Sequence, residues 1–163
     1  MQHLWAPWRV GYITDAQKHK KGCVFCRMLK DKKDEKSQIL IRREFSFVVL
    51  NIFPYNNGHL LILPNRHVDD LSKLSQKEKQ ELWGLLEETK DLLDRTLKPA
   101  GYNIGINLGR IAGAGFPGHL HIHVVPRWNG DANFMPVVAH TKVISQSLNE
   151  LYKLLNDAYK KRH

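Results

Sequence analysis

The strongest constraint on this chain is a run of three histidines at alternate positions, His119, His121 and His123, in the segment HLHIHVV. Side chains alternate between the two faces of a β-strand, so a strand through this segment places all three imidazoles on one face. The leucine, isoleucine and valine that separate or follow them then point into the core. Three imidazoles on one face are costly unless they are hydrogen-bonded or in use, so the pattern predicts a functional site.

Two kinds of chemistry suit such a row of histidines. One is metal binding, because His-x-His on a strand presents two ligands on the same side. The other is nucleophilic catalysis, in which one neutral imidazole attacks while its neighbours orient it and protonate the leaving group. The upstream segment GRIAGAGFPG carries four glycines, whose backbone N–H groups can approach an anion closely. A phosphate beside the histidines indicates phosphoryl or nucleotidyl transfer, although a glycine-rich loop alone is also compatible with a hairpin turn.

Composition and charge narrow the class of protein. The chain of 163 residues predicts one domain, residues 1–163, of an ordinary soluble globular protein. No apolar run approaches the roughly 20 residues of a membrane span, and the first residues lack the pattern of a signal peptide, which favours a cytoplasmic location. The 25 Lys and Arg against 16 Asp and Glu give a formal charge of +9. Much of this excess lies in runs at residues 18–36 and 160–162, which are expected to be solvated flanks and not a nucleic-acid patch. The net positive charge is compatible with a polyanionic small substrate.

Apolar periodicity and turn signals predict an α+β fold. Strands are expected at residues 38–42, 45–51, 59–64, 102–109 and 119–126, with a short helix within residues 27–36. A capping box of Ser75 and Glu78 opens the main helix, residues 75–97, where leucines recur at helical spacing. A final helix fits residues 146–160. The order β-β-β-α-β-β-α indicates a mostly antiparallel sheet with helices packed on one face.

The histidine segment fits the motif His-φ-His-φ-His-φ-φ, where φ is apolar, and so resembles the histidine triad (HIT) superfamily of nucleotidyl hydrolases and transferases. The segment NIFPYNNGHLLILPNRHV is similar to the superfamily's Asn…Pro…Gly-His strand and its Pro-x-Arg-His turn. The segments HLWAPWR, CVFC and PRWNGDANF resemble the branch that contains the fragile histidine triad protein and bacterial diadenosine tetraphosphate phosphorylases. The resemblance covers residues 3–145. It implies a HIT-like fold and a homodimer that pairs through residues 75–97 and 102–108.

The resemblance also implies a mechanism through a nucleotidyl-histidine. The middle histidine, His121, attacks the α-phosphorus, and His123, near the bridging oxygen, helps the leaving group to depart. A backbone carbonyl of a neighbouring triad histidine accepts from the other nitrogen of His121, which leaves the attacking nitrogen unprotonated. His119 completes the triad, and His59 matches the upstream histidine of the active site.

Substrate-binding residues follow from the same resemblance. Asn51 matches an asparagine that contacts ribose, Phe53 lies beside it in an apolar slot suited to the base, and Asn107 matches a polar residue that holds phosphate. The loop AGAGFPG lacks the glutamine and the hydroxyl that touch the α-phosphate in many members. Backbone donors then take their place, at Gly113, Ala114 and Gly115. This departure leaves the acceptor, water or orthophosphate, open.

Cys23 and Cys26, the only two cysteines, form a Cys-x-x-Cys pair. In a reducing compartment such a pair is more often half of a metal site or a redox pair than a structural disulfide. In metal-bearing relatives the other ligands stand at His67 and His119, so the resemblance implies a closed, structural zinc site of four residues. This site would pin residues 1–36 to the catalytic core. A reduced pair packed as small hydrophobic residues is the alternative.

The remaining histidines and the aromatic residues carry less information. The histidines without companions at useful spacing are expected at the surface: His3, His19, His140 and His163. Aromatic residues that flank the motifs are expected in the core or at the dimer interface more than against a base: Trp5, Trp8, Phe53, Tyr55, Phe116, Trp128 and Phe134.

The sequence therefore predicts a nucleotidyl hydrolase or transferase that cleaves dinucleoside polyphosphates such as diadenosine tetraphosphate. Its cofactors would be the structural zinc and a divalent cation bound with the polyphosphate. Three alternatives remain: a nucleoside phosphoramidase, a nucleotide-binding regulatory protein with residual activity, and a metal-dependent hydrolase that uses the three histidines as ligands. The last is disfavoured because no nearby carboxylate completes an open site and the cysteine pair already claims one histidine.

Overall fold

The computed structural model of this protein describes residues 22–132, 138, 144 and 146–162. The segment HLWAPWR and the last two residues of PRWNGDANF lie outside the described residues. The same holds for seven residues singled out in the sequence: His3, Trp5, Trp8, His19, Phe134, His140 and His163. The predictions made for them are therefore not tested by this structure.

Five strands of the described part form one antiparallel sheet, and they are β1 (Ile39–Arg42), β2 (Ser46–Leu50), β3 (Leu60–Pro64), β4 (Gly101–Ile106) and β5 (Ile122–Arg127). Their order across the sheet is β1-β2-β3-β5-β4, so β5 lies between β3 and β4. His123 in β5 pairs with Leu61 on one side and with Gly105 on the other. The histidine row therefore reaches the middle of the sheet, where both of its faces can be covered.

The helices of the described part are α1 (Val24–Asp31), α2 (Asp34–Ser37), α3 (Gln76–Leu97) and α4 (Leu148–Lys160), with a 3₁₀ turn at Leu71–Lys73. The predicted capping box is confirmed: Ser75 Oγ accepts from the Glu78 N–H, and Glu78 Oε2 accepts from the Ser75 N–H. Helix α3 ends at Leu97, and its C-cap residue Lys98 adopts the left-handed conformation with a φ of 47° and precedes Pro99. The α+β class and the order of its main elements are confirmed.

The two main helices pack on one face of the sheet, as the predicted order of elements indicates, whereas the short helix α1 lies on the other face. Helices α3 and α4 cover one face, over a core that includes Val48, Leu60 and Ile62. Helix α1 lies on the opposite face, where Phe25 packs in a second core cluster with Phe47. Strands β2 and β3 are buried at every position, because their continuous apolar runs need cover on both sides. The short cysteine-bearing helix supplies that second cover.

The histidine strand is shorter than predicted. It begins at Ile122, and the residues before it run alongside the loop that follows β3, where the Leu120 N–H donates to the Val68 carbonyl at 2.6 Å. The strand expected at residues 102–109 likewise ends at Ile106. Leu120 and Val124 lie in the core as expected, and Ile122 packs against it while half-buried.

Among the described residues, no helix combines the length and the apolar character needed to cross a bilayer.

Candidate active site

The three triad histidines lie on the face of the sheet that helix α1 covers. They are almost fully buried, with exposures of 1% for His119, 5% for His121 and 9% for His123. The ring centroids of His121 and His123 are 4.9 Å apart, and that of His123 is 5.1 Å from that of His59. The structure therefore brings together the four histidines that the sequence predicts in the active site.

Hydrogen bonding fixes the tautomer of His121. Its Nδ1 lies 2.8 Å from the backbone carbonyl of His119, which can only accept, so the proton of the neutral imidazole is on Nδ1. Burial lowers the pKa of His121, against an opposing effect of the same carbonyl, and this favours the neutral ring. The Nε2 atom then carries a lone pair, as a nucleophile requires.

A second chain of hydrogen bonds gives His123 the opposite tautomer. The Tyr55 N–H donates to His59 Nδ1 at 3.0 Å, so the proton of neutral His59 is on Nε2. Burial, with smaller effects of His123 and His121, lowers the pKa of His59 to about 3. His59 Nε2 lies 2.9 Å from His123 Nδ1 and donates to it. Neutral His123 therefore carries its proton on Nε2, the position from which a leaving group can be protonated.

Asn51 supports this chain from the side. The Phe53 N–H donates to Asn51 Oδ1 at 2.9 Å, which turns the Asn51 amide nitrogen toward His59 Nδ1, 3.3 Å away. The ring of Tyr55 stacks on that of His123, with centroids 5.5 Å apart and planes inclined by 16°. Sequence reasoning placed Asn51 at the ribose and gave Tyr55 no part in the site. The turn PYNNG was the available signal, since it folds a backbone N–H back onto the histidine that follows it.

Two backbone N–H groups of the glycine-rich loop already donate to carbonyls within the loop. Gly109 and Gly113 have φ values of 79° and 92°, which glycine adopts without strain. The N–H of Gly113 donates to Arg110, and that of Ala114 donates to Gly109 at 3.3 Å. Of the three residues predicted to bind phosphate through the backbone, Gly115 alone has an N–H that bonds to no other group of the described chain.

The other two side chains predicted to bind substrate, Asn107 and Phe53, differ in exposure. Asn107 is half-buried and comes directly after β4, before the loop. The side chain of Phe53 is exposed, together with its neighbours Ile52 and Tyr55. These exposed apolar groups lie on the segment that leads into His59.

Two polar clusters hold the segments that carry His59 and His67. The Asn56 amide donates to the Pro126 carbonyl at 3.0 Å and to Asp131 at 2.7 Å, and Asp131 also bonds to Arg127. This cluster ties the turn before His59 to the end of β5. In the second cluster, Arg66 makes a bidentate ion pair with Glu78, at 3.0 and 2.9 Å.

Four side chains form a cluster that could bind a metal: Cys23, Cys26, His67 and His119. One ligand atom from each lies within 4.8 Å of the others. His119 Nε2 lies 2.8 Å from the Pro64 carbonyl and donates to it, so Nδ1 is the atom with the lone pair. That Nδ1 faces Cys23 Sγ at 3.3 Å and Cys26 Sγ at 3.7 Å. Two thiols and two imidazoles are the donor set of a closed tetrahedral zinc site, and the residues present fit such an ion.

His119 belongs to both the metal cluster and the active site. Its imidazole faces the cysteines, whereas its backbone carbonyl accepts from His121. Within residues 22–132, 138, 144 and 146–162, the cysteine-containing cluster is the one group of three or more such side chains placed to hold an ion. Because the two ring nitrogens of His119 face Cys23 and the Pro64 carbonyl, the hypothesis that all three triad histidines bind one ion is disfavoured.

The antiparallel sheet and its buried row of histidines define a histidine triad protein. The HIT domain family model matches residues 32–130, more than half of the chain, and the chain belongs to this family.

Known proteins agree with this assignment. The chain is 35% identical over 161 residues, 95% of its length and 83% of the relative, to an AP-4-A phosphorylase of Mycobacterium tuberculosis. It is 29% identical to an asymmetrical bis(5'-nucleosyl)-tetraphosphatase of Schizosaccharomyces pombe, over 76% of this chain and 68% of the relative. The structure of a Zn-bound histidine triad family protein from Mycobacterium smegmatis has a TM-score of 0.69 and 25% identity, covering 86% of this chain and 95% of that one. The predicted family and the prediction of an enzyme are confirmed.

Proposed function

We propose that the chain cleaves dinucleoside polyphosphates, with diadenosine tetraphosphate as the representative substrate. The observation that carries this proposal is the pair of opposite tautomers, His121 with a bare Nε2 and His123 with a protonated one. One imidazole is thus ready to attack while its neighbour is ready to protonate. The similarity to an AP-4-A phosphorylase over 95% of the chain supports the substrate class.

The first step transfers a nucleotidyl group to the enzyme. The lone pair of His121 Nε2 attacks the α-phosphorus, and the bond between that phosphorus and the bridging oxygen breaks. His123 Nε2–H gives its proton to the leaving oxygen, and diadenosine tetraphosphate thereby releases ATP. The carbonyl of His119 stabilises the positive charge that His121 acquires, because it accepts from Nδ1.

The second step regenerates the enzyme. Water or orthophosphate attacks the phosphorus, the bond to His121 Nε2 breaks, and the acceptor's proton goes to His123 Nε2. The product is AMP if water is the acceptor and ADP if it is orthophosphate. The Gly115 N–H and Asn107 are the candidates to hold the α-phosphate, together with a divalent cation that accompanies the polyphosphate.

For the metal, the proposal is one structural zinc ion on Cys23, Cys26, His67 and His119. It is supported by the tautomer of His119 and by the Zn-bound relative from Mycobacterium smegmatis. All four positions of a tetrahedral ion are taken by protein ligands, so the ion would have a structural function and no catalytic one. The two free cysteines are consistent with a reducing, cytoplasmic location.

Strand β4 is the proposed site of homodimer formation. It is an edge strand in the order of the sheet, with Ile104 46% exposed, and Trp83 on the adjacent helix α3 is 64% exposed. An edge strand with exposed apolar side chains is a template for pairing with another strand. Pairing of β4 with its copy across a twofold axis would cover these groups. The proposal also treats residues 1–163 as one domain, with residues 1–36 packed on the core through α1.

The deciding experiment is incubation with diadenosine tetraphosphate, with and without orthophosphate, followed by product analysis. ADP plus ATP indicates phosphorolysis, and AMP plus ATP indicates hydrolysis. Adenosine 5'-phosphoramidate is the parallel substrate, and its cleavage alone would favour the phosphoramidase. Tight AMP binding without any turnover would contradict the proposed activity and favour a regulatory protein.

A further inference from the structure

Phe25 lies between the two cysteines in the sequence and in the first turn of α1. Its side chain is 4% exposed. The centroid of its ring is 5.5 Å from that of His119 and 5.9 Å from that of His121. A third contact joins it to Phe116 of the glycine-rich loop, at 5.4 Å and close to perpendicular. The metal cluster, the nucleophile and the loop therefore meet at one buried ring.

The apolar core alone does not require this arrangement. Met28 and Leu29 on the same helix also pack against the second core cluster, but they are half-buried, whereas Phe25 is buried. Phe25 differs from them because it reaches past the core to the catalytic row. Its ring contacts with His119 and His121 can therefore be tested against the general packing of α1, with Leu29 as the comparison.

The nucleophile needs a constraint of this kind. Rotation about the second side-chain dihedral of histidine is soft, and the bond from His121 Nδ1 to His119 fixes one edge of the ring. A second ring in contact with it, as Phe25 is with centroids 5.9 Å apart and planes inclined by 41°, limits the remaining tilt. Transfer to phosphorus depends strongly on alignment, and a misplacement of about 1 Å can cost about 100-fold in rate.

We propose that Phe25 is a positioning residue of the transfer reaction. Its side chain holds the ring of His121 and the loop at Phe116 in a fixed position relative to the metal cluster. This inference rests on the proposed nucleotidyl transfer. Because Cys23 and Cys26 flank Phe25, an ion bound to them fixes the turn that carries the ring. Metal binding then constrains the orientation of the His121 ring in two ways, through the backbone carbonyl of His119 and through the side chain of Phe25.

The test compares Phe25→Leu with Leu29→Ala as the matched control. Both remove apolar volume from the same helix and cluster, and both leave the four metal ligands in place. For Phe25→Leu we expect kcat for diadenosine tetraphosphate to fall by about 10- to 100-fold, with KM changed less than about threefold. Leu29→Ala should keep kcat within about threefold of the wild type, even where it lowers the melting temperature as much.

A spectroscopic measurement tests the same contact without turnover. In protein with ¹⁵N-labelled histidine, we expect the His121 ring nitrogens of the wild type to report one tautomer and those of Phe25→Leu to broaden through exchange. Removing zinc should broaden the His121 ring-nitrogen signals of the wild type. In Phe25→Leu, where these signals are already broad, removing zinc should cause little further broadening. If Phe25→Leu does not fold, Phe25→Met carries the same comparison.

The outcomes separate the two hypotheses. Wild-type kcat and unchanged His121 signals in Phe25→Leu would overturn the positioning role while leaving the proposed activity intact. An equal loss of kcat in Leu29→Ala would also overturn it, because the effect would then be one of packing alone. Absence of turnover in the wild type would contradict the proposed activity, and the nitrogen spectra would still decide whether Phe25 orders His121.

Discussion

His59 Nε2 lies 2.9 Å from His123 Nδ1, and it is the donor in that bond because the Tyr55 N–H occupies the other nitrogen of His59. The Tyr55 amide therefore determines, through two successive hydrogen bonds, which nitrogen of His123 carries the proton. His59 acts on the reaction through His123, and its own pKa, lowered to about 3 by burial, keeps it neutral throughout the physiological range.

The first prediction concerns this chain of histidines. His59→Ala should slow transfer most for substrates with a poor leaving group, such as the methyl ester of AMP, because an alkoxide needs a proton to depart. The loss should be smaller for diadenosine tetraphosphate, whose leaving ATP needs little protonation. A positioned acid contributes about 100- to 10,000-fold, which is the upper bound for the poor leaving group. Equal losses for both substrates, measured as kcat, would contradict a function in proton transfer.

The second prediction concerns the nucleophile. His121→Asn should abolish transfer and leave the fold and AMP binding largely intact, because the ring is needed for its Nε2 lone pair and is not the main support of the core. Quenching the wild type during turnover should trap a nucleotidyl-enzyme, detectable by mass spectrometry, which the variant lacks. Near-wild-type turnover in His121→Asn would rule out the covalent mechanism.

Stability should depend on pH through His59. The unfolded chain has the ordinary pKa of 6.5, whereas the pKa in the folded protein is about 3. Between these values the unfolded state binds a proton that the folded state does not, so stability falls as the pH falls below 6.5. The slope is about 1.4 kcal/mol per pH unit for one such group.

Urea unfolding at pH 7, 6 and 5 measures this slope. His59→Gln should be less stable at pH 7. Between pH 6 and 5, however, its free energy of unfolding should fall less steeply than that of the wild type, by about 1.4 kcal/mol per pH unit. Burial also lowers the pKa of His119 and His121, so a slope of the same sign should remain. An unchanged slope in the variant would mean that His59 titrates normally in the folded protein.

The fourth prediction concerns the metal cluster. Elemental analysis should find about one zinc per chain, and Cys26→Ser should lower both the zinc content and the melting temperature, because binding of a structural ion is coupled to folding. A chelator should destabilise the protein slowly. Prompt inhibition with unchanged stability, reversed by added zinc, would instead make the ion catalytic and would overturn the assignment of His121 as nucleophile.

The fifth prediction concerns the edge strand. Ile104→Lys should give a monomer in sedimentation or size-exclusion measurements, because a charge at the centre of the proposed interface would be buried without a partner. Leu154→Lys is the matched control, since Leu154 is similarly exposed, at 41%, on helix α4 and away from β4. A monomeric wild type would contradict the proposed homodimer.

Much of the fold could be predicted because it depends on local patterns. The capping box at Ser75 and the apolar periodicity of the main helix are properties of a few neighbouring residues, and both are found in the structure. The face that α1 covers was not predicted, because a short helix carries no signal of which face of a sheet it will pack on. Its one buried residue, Phe25, finds its partners about 90 residues further along the chain.

The sequence by itself determined the row of three histidines, their alternation and the spacing of the cysteine pair, whereas His67 and His119 were named as metal ligands through the family resemblance. Alternation along an extended backbone and the spacing of a motif are covalent properties, which hold before any tertiary contact forms. The tertiary structure alone decided which nitrogen of each histidine holds the proton and what packs against the nucleophile. Those depend on distances of about 3 Å, such as that between His59 and His123, which are 64 residues apart in the sequence. Only the folded chain brings such groups to hydrogen-bonding distance.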